Sequence, residues 1–346
     1  MKTNSALITA ERPMDLIGNT PLLKIQSLSK LTGCDIFVKC EFLNPGGSIK
    51  DRAAKQMVLD AMEHERLKPG MTIVEGTAGN TGIGLALVAK SLGLNMVAVM
   101  PKGQTLEKER MIELFGAKLV LVDPVPFANE NHFYHTARKI ADENPDQYWW
   151  ANQFENTSNM RAHYLHTGPE IVEQMNGKVD FFVSVAGTGG TIGGNSNYLK
   201  ENVPGVKVHL VDPEGSGLCH FFHHGEFKSQ GSSLTEGIGI MRLVENFKQA
   251  RVDDAFTLPD SDVVAISRYV RDNDGLVLGS SSALNVAGAV RTAVRAGAGK
   301  RIVTFACDLG ERSFSKLYNP EFLSSKGLDS TSPTVEDLIK KYQTGL

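Results

Sequence analysis

Lys50 is the first residue whose setting points to covalent chemistry, because it stands in Asn44-Pro-Gly-Gly-Ser-Ile-Lys50-Asp-Arg. Ser48 followed by Asp51 is a capping-box pattern, and Ala53, Ala54, Met57, Val58, Ala61 and Met62 repeat behind it at helical spacing. The pattern predicts a helix with Lys50 in its first turn, where the macrodipole disfavours a positive charge. An amine held there gives up its proton more readily, which suits attack on an aldehyde. Taken alone, a surface lysine beside a helix cap is the commoner origin of such a residue.

Two more glycine-rich turns each open a predicted helix. In Glu75-Gly-Thr-Ala-Gly-Asn-Thr-Gly82, backbone N–H groups at a helix start form an anion cradle, and Thr77, Asn80 and Thr81 add donors suited to a carboxylate. A helix cap packed tightly through glycine explains any one of these residues, but not so many glycines and polar groups together. Gly187-Thr-Gly-Gly-Thr191 follows an apolar stretch and reads as a phosphate cradle. Two competitors fail on spacing. Counting a dinucleotide fingerprint from Gly187 puts Ile192 at its third glycine, and no Lys-Ser/Thr pair follows as in a P-loop.

Apolar strands alternating with helices must position these turns. Strands are predicted at 72–75, 96–100, 118–122, 181–185, 206–211 and 301–305, and helices at 82–92, 107–115, from 191 to 200, 261–273 and 281–296. Such alternation marks parallel sheets covered on both faces. The stretch 124–165 breaks the rhythm, and a domain boundary is placed near residue 155. The tail from Leu323 carries one short amphipathic segment, Val335, Leu338, Ile339 and Tyr342.

Composition narrows the partners. The 346 residues are 41% hydrophobic and 22% charged with net charge −3, so no basic footprint points to nucleic acid or an anionic membrane. The four cysteines lack metal-ligand spacing and read as reduced thiols. No secretory leader or membrane span is expected, and the location reads as cytoplasmic. Cys219, His220, His223, His224 and Glu226 sit on an expected loop with no recognisable metal-site spacing, so no metal is assigned.

NPGGSIKDR, EGTAGNTG and GTGGT, in this order, resemble the cysteine synthase and cystathionine β-synthase family of fold-type II pyridoxal-phosphate enzymes. IGNTPL at 17–22, NQF at 152–154, GIG at 237–239 and GLVLGSSSA at 275–283 extend the resemblance over about residues 12 to 320. It implies a tryptophan synthase β-like α/β fold, with two domains each built on a mainly parallel twisted sheet covered by helices. The domains would be 1–155, its first 45 or so residues packing on the second, and 156–322, which binds the cofactor phosphate, with 323–346 as a tail.

The resemblance also implies roles. Lys50 would hold pyridoxal 5'-phosphate as a Schiff base and act as general base, with Asn80 bonding the phenolic oxygen. Gly187, Thr188, Gly189, Gly190 and Thr191 would hold the phosphate, and Ser281 the pyridine nitrogen, with Ser280 or Ser282 the alternatives. Thr77, Ala78, Gly79, Asn80, Thr81, Gln153 and Gly237 would bind the substrate.

The implied reaction is a transferase one. O-acetyl-L-serine and sulfide give L-cysteine and acetate through an aminoacrylate, in a homodimer that a serine acetyltransferase can dock. Ala78 departs from the family's usual TSGNTG loop by losing a serine. TAGNTG with TEGIG at 235–239 resembles a subgroup that also holds cysteine desulfhydrases, so a lyase releasing sulfide, pyruvate and ammonia stays open. A cystathionine β-synthase-like activity and a weakly active binding partner are the remaining readings.

Overall fold

Ten strands form in chain order, and the computed structural model describes residues 9–328 and 332–344. They are β1 (Leu22–Lys24), β2 (Asp35–Cys40), β3 (Thr72–Gly76), β4 (Asn95–Pro101), β5 (Lys118–Val122), β6 (Tyr148–Trp150), β7 (Phe181–Ser184), β8 (Lys207–Pro213), β9 (Asp254–Leu258) and β10 (Arg301–Ala306). One sheet has the order β5-β4-β3-β6 and the other β1-β2-β10-β7-β8-β9. Every pairing is parallel except β1 with β2. Parallel strands need helical crossovers, so both faces are covered and the strands become apolar throughout, as Ile73, Val74, Phe182, Val183, Ile302 and Val303 show by their complete burial.

This is the doubly covered α/β fold that the alternating pattern predicts. Residues 124–165 do not break it. They carry the helix Phe133–Glu143 and β6, which pairs with β3, so the crossover continues under an aromatic-rich disguise. The sequence pattern missed β1, β2, β6 and β9. The first two lie in the six-stranded sheet, where β2 pairs with β10, far along the chain, and β1 pairs with β2 at the edge. The residues read for a leader, up to residue 8, and part of the tail lie outside the described residues.

Two local expectations are corrected. The capping box at Ser48 does not form. The Pro-Gly-Gly turn folds back beneath the helix Lys50–Glu63, and Asp51 accepts from Gly46 N at 2.6 Å instead of from Ser48 N. The segment 219–226 is largely helix rather than loop, Leu218–His224 ending at Gly225 with φ +75°. There His220 Nδ1 faces Glu226 O at 2.9 Å, and His223 Nε2 faces Ala255 O at 2.8 Å.

The amphipathic tail helix Val335–Thr344 buries Val335, Leu338 and Tyr342 against the larger core. Tyr342 Oη donates to the buried Asp262 at 2.6 Å, which ties the tail to the helix Asp260–Asp274.

A buried acid at the end of β3 makes the fold sensitive to pH. Glu75 is fully buried, Gln153 N is its hydrogen-bond donor, and burial pushes its carboxyl up to about 8. The folded chain therefore keeps this proton up to about pH 8, whereas the unfolded chain releases it near 4.5. Between those values the folded state binds more protons, so this group's stabilising contribution falls as pH rises. Glu75→Gln is expected to remove part of that slope, on the order of a few kcal/mol, measured as urea midpoints across the same window.

Candidate active site

Both sheets open a crevice where their strand order reverses. In the four-stranded sheet β3 leads to β4 and β5 on one side, with β6 on the other. In the six-stranded sheet β7 leads to β8 and β9 on one side, with β10 on the other. Ligands of open α/β sheets bind outside the carboxyl ends of strands at such switch points. The loops that leave β3, β6, β7 and β10 all reach one cavity of about 350 Å³.

The cavity wall takes Lys50, residues 77–81, Gln153, Gly187, Thr188, Gly189, Thr191, Gly237 and Ser281. Of the site residues expected from sequence, Gly190 alone is set behind the wall, against the Asn159 side chain. Among the three adjacent serines, Ser281 lines the cavity. Ser280 Oγ accepts from Glu236 N at 3.4 Å, and Ser282 Oγ donates to Asp308 O at 2.8 Å.

Lys50 is the first residue of its helix, and its Nζ makes no hydrogen bond or ion pair among the described residues. Burial lowers its pKa, opposed by Cys307 and Asp308. The helix start adds to that burial, so the amine is disposed to be neutral. The helix itself is pinned within its first turn. Arg52 pairs with Glu41 at 2.7 Å and with Glu170 at 2.7 Å, and Glu170 also takes the buried Lys39 at 2.6 Å.

Two backbone cradles face the amine. No backbone carbonyl among the described residues accepts from the N–H groups of Gly187 to Ile192, which precede and open the helix Gly190–Asn202. A Cβ at Gly187 would run into Gly237 O, so glycine is required for that close approach. Thr188 Oγ1 accepts from Asn159 at 2.9 Å and keeps its own O–H to give. Thr191 Oγ1 lies 3.3 Å from His163 Nε2, and burial holds His163 well below its usual pKa.

At the second cradle, the N–H groups of Ala78, Asn80 and Thr81 likewise lack a carbonyl acceptor among the described residues. Thr77 Oγ1 accepts from Gly79 N at 3.0 Å and keeps its O–H free. Thr81 donates to Gln153 Oε1 at 2.6 Å, and Gln153 Nε2 donates to Gly76 O at 2.9 Å. Thr81 and Gln153 thus hold each other as well as lining the wall.

The donor set fits pyridoxal phosphate. A partnerless amine suits an aldehyde, an uncapped glycine-rich helix start suits a phosphate dianion, and the Ser281 hydroxyl lies on the same wall. Sequence reasoning missed several further groups here. Lys108 lays its stem across Gly79 and pairs with Glu236 at 2.5 Å, and Lys316 reaches the other Glu236 oxygen at 2.5 Å. Arg242 stacks over Phe127 at 4.6 Å and pairs with Glu155 at the cavity wall. Cys307, Asp308 and Arg312 follow β10. Their one signal in the sequence is their place after the carboxyl end of a parallel strand, where ligand sites form.

Comparison with known proteins agrees with this chemistry. Cysteine synthase 2 of Schizosaccharomyces pombe is 46% identical, matching 94% of this chain and 88% of that one. Cysteine synthase of Dictyostelium discoideum is 45% identical, matching 90% of this chain and 85% of that one. The crystal structure of a hydrogen sulfide-producing enzyme from Fusobacterium nucleatum superimposes with a TM-score of 0.79 at 30% identity, covering 88% of this chain and 98% of that one. Residues 14–308 match the family described as pyridoxal-phosphate dependent enzyme, and with these relatives the match shows that the chain belongs to that family.

Proposed function

We propose that this enzyme is a cysteine synthase that replaces the acetoxy group of O-acetyl-L-serine by sulfide, giving L-cysteine and acetate. The observation that carries the reading is the partnerless, desolvated Lys50 amine between two N–H cradles of different design. Bound pyridoxal phosphate would supply an electron sink that makes the substrate's α-hydrogen acidic. Lys50 would hold that group as a Schiff base, and once displaced by the substrate amine it would take the α-proton as general base.

Gly187 to Thr191 would hold the phosphate through backbone N–H groups and the Thr188 and Thr191 hydroxyls. Ser281 would meet the ring nitrogen as a hydroxyl rather than as a charged carboxylate. The N–H groups of Ala78, Asn80 and Thr81, with Thr77 Oγ1, would take the substrate carboxylate. Acetate then leaves Cβ with its bonding pair, hydrosulfide adds there, and a proton returns to Cα. The homodimer and docking of a serine acetyltransferase tail rest on the family resemblance alone, and the cytoplasmic location rests on the reading of the sequence for leaders and membrane spans.

A second reading has its own support. Ala78 brings no hydroxyl to the cradle, and the likeness to a hydrogen sulfide-producing enzyme makes β-elimination from cysteine a competitor.

Two experiments test these readings. The purified enzyme is expected to show a visible cofactor band that borohydride abolishes while labelling Lys50. Lys50→Ala is expected to lose that covalent attachment and at least a thousandfold of turnover, a barrier increase of about 4 kcal/mol. Covalent cofactor and undiminished turnover in that variant would refute the role of Lys50.

With matched substrates, cysteine formation from O-acetylserine and sulfide should exceed sulfide release from cysteine. Ala78→Ser should then lower the KM for O-acetylserine about fivefold, one neutral hydrogen bond's worth. Faster sulfide release than cysteine formation would transfer the assignment to the desulfhydrase.

A further inference from the structure

Asp308 is a buried carboxyl group, 3% exposed, whose side chain has one hydrogen-bond partner among the described residues. Its Oδ2 accepts from Asn80 Nδ2 at 2.7 Å, and its Oδ1 is buried without a partner. The missing side chain of Gly279 makes room for that group, since a Cβ there would overlap Asp308 Oδ1. Hydrogen bonds from its own backbone fix the residue further. Asp308 N donates to Ser282 Oγ at 3.1 Å, and Gly279 N donates to Asp308 O at 3.1 Å.

The opposite end of the Asn80 amide is held as tightly. Arg312, 4% exposed, donates from one guanidinium nitrogen to Asn80 Oδ1 at 2.9 Å. Its other terminal nitrogen donates to Gly46 O, in the turn that leads into Lys50. Asn80 is the first residue of the helix Asn80–Ser91 and lies on the cavity wall. One line of bonds thus joins the carboxyl end of β10, the start of the Asn80 helix and the loop before Lys50.

We propose that Asp308 and Arg312 are positioning residues that lock the Asn80 amide, so that it presents an N–H and never its carbonyl to the oxygen of the group in the cavity. The orientation follows from donor and acceptor counts. Turned over, the amide would set its oxygen against the Asp308 carboxyl oxygen and its NH2 against guanidinium N–H groups. In the observed orientation Asp308 uses one of the two Nδ2 hydrogens, which leaves the second for the cavity. The proposal rests on the reading that pyridoxal phosphate sits there with its phenolic oxygen toward Asn80. A fixed donor at that oxygen favours its ionised form, which absorbs in the visible, over the neutral form, which absorbs in the near ultraviolet.

The test is the ratio of those two cofactor bands in the substrate-free holoenzyme. Wild type, Asp308→Asn, Arg312→Lys and Asn80→Ala are compared, with cofactor attachment at Lys50 verified by peptide mass after borohydride reduction. Asp308→Asn replaces a pure acceptor by a group that suits either amide orientation, and the visible share of absorption is expected to fall about fivefold. Arg312→Lys loses the two-point link and should move the ratio the same way.

In an Asn80→Ala background, Asp308→Asn should then add nothing, because its effect passes through that amide. A packing role alone would lower the melting temperature and leave the ratio unmoved. An unchanged ratio in folded Asp308→Asn protein, or an equal drop in the Asn80→Ala background, would overturn the proposal. Loss of labelling at Lys50 in the wild type would instead remove the reading beneath it.

Discussion

Desolvation of one amine is the constraint on which the rest of this structure depends. Lys50 carries its amine at the start of a helix and inside a cavity, with no ion pair among the described residues, and burial there outweighs the opposing influence of Cys307 and Asp308 to disfavour its charge. A helix that begins in this way needs anchoring from a different side chain. Arg52 provides it one half-turn on, closing a buried cluster with Glu41, Glu170 and Lys39 in which two positive groups meet two negative ones. Removing one member of such a cluster costs roughly 3–5 kcal/mol, because the remaining charge stays buried without its partner. The charge that burial disfavours on Lys50 and the charges that Arg52 collects are two parts of one arrangement.

Strand order then decides where the cradles can be. A helix start supplies free N–H groups only at the carboxyl end of the preceding strand, and two such ends converge only where each sheet reverses its direction of winding. β3 and β7 provide the cradle-bearing loops, while β6 and β10 contribute Gln153 and Cys307 from across each switch point. Backbone packing makes the glycines obligatory. Gly187 touches the carbonyl of Gly237, and Gly79, with φ +142°, lies beneath the Lys108 side chain. The Lys108–Glu236–Lys316 cluster ties the segment carrying Gly237 to both sides of the crevice.

These physical demands explain what could be read from the sequence. Loops that need glycine for close approach keep that composition wherever they occur, so the turns around Lys50, Asn80 and Gly187 were legible. The buried parallel strand β4 was legible from the unbroken apolar run at 96–100. The polar groups behind the wall were not, because their partners are remote along the chain. Asn80 and Asp308 are 228 residues apart, and Asn80 and Arg312 are 232. The Ser48–Asp51 pattern misled for a related reason, since Gly46 N competes for Asp51 only after the preceding turn folds under the helix. β2 escaped notice because its register is set by β10, at the far end of the chain, and β1 because it is only three residues long and pairs with β2 alone.

The same accounting of donors bears on Ala78. A serine there would add one hydroxyl to a cradle whose other side-chain donors differ in how far they are already engaged. Thr81 gives its proton to Gln153, and Gln153 turns one N–H to Gly76 O, so both hold the shape of the loop. Thr77 is the hydroxyl that accepts from backbone and still has a proton to give. The cradle therefore relies chiefly on the N–H groups of Ala78, Asn80 and Thr81, which replacement of one side chain by another does not remove. A neutral hydrogen bond contributes about 1 kcal/mol net, whereas a helix start supplies several aligned donors at once. On the roles proposed above, a cradle without that serine would grip a substrate carboxylate less tightly without losing it, and Lys50 would act in the same way whether the departing group on Cβ were acetate or sulfide.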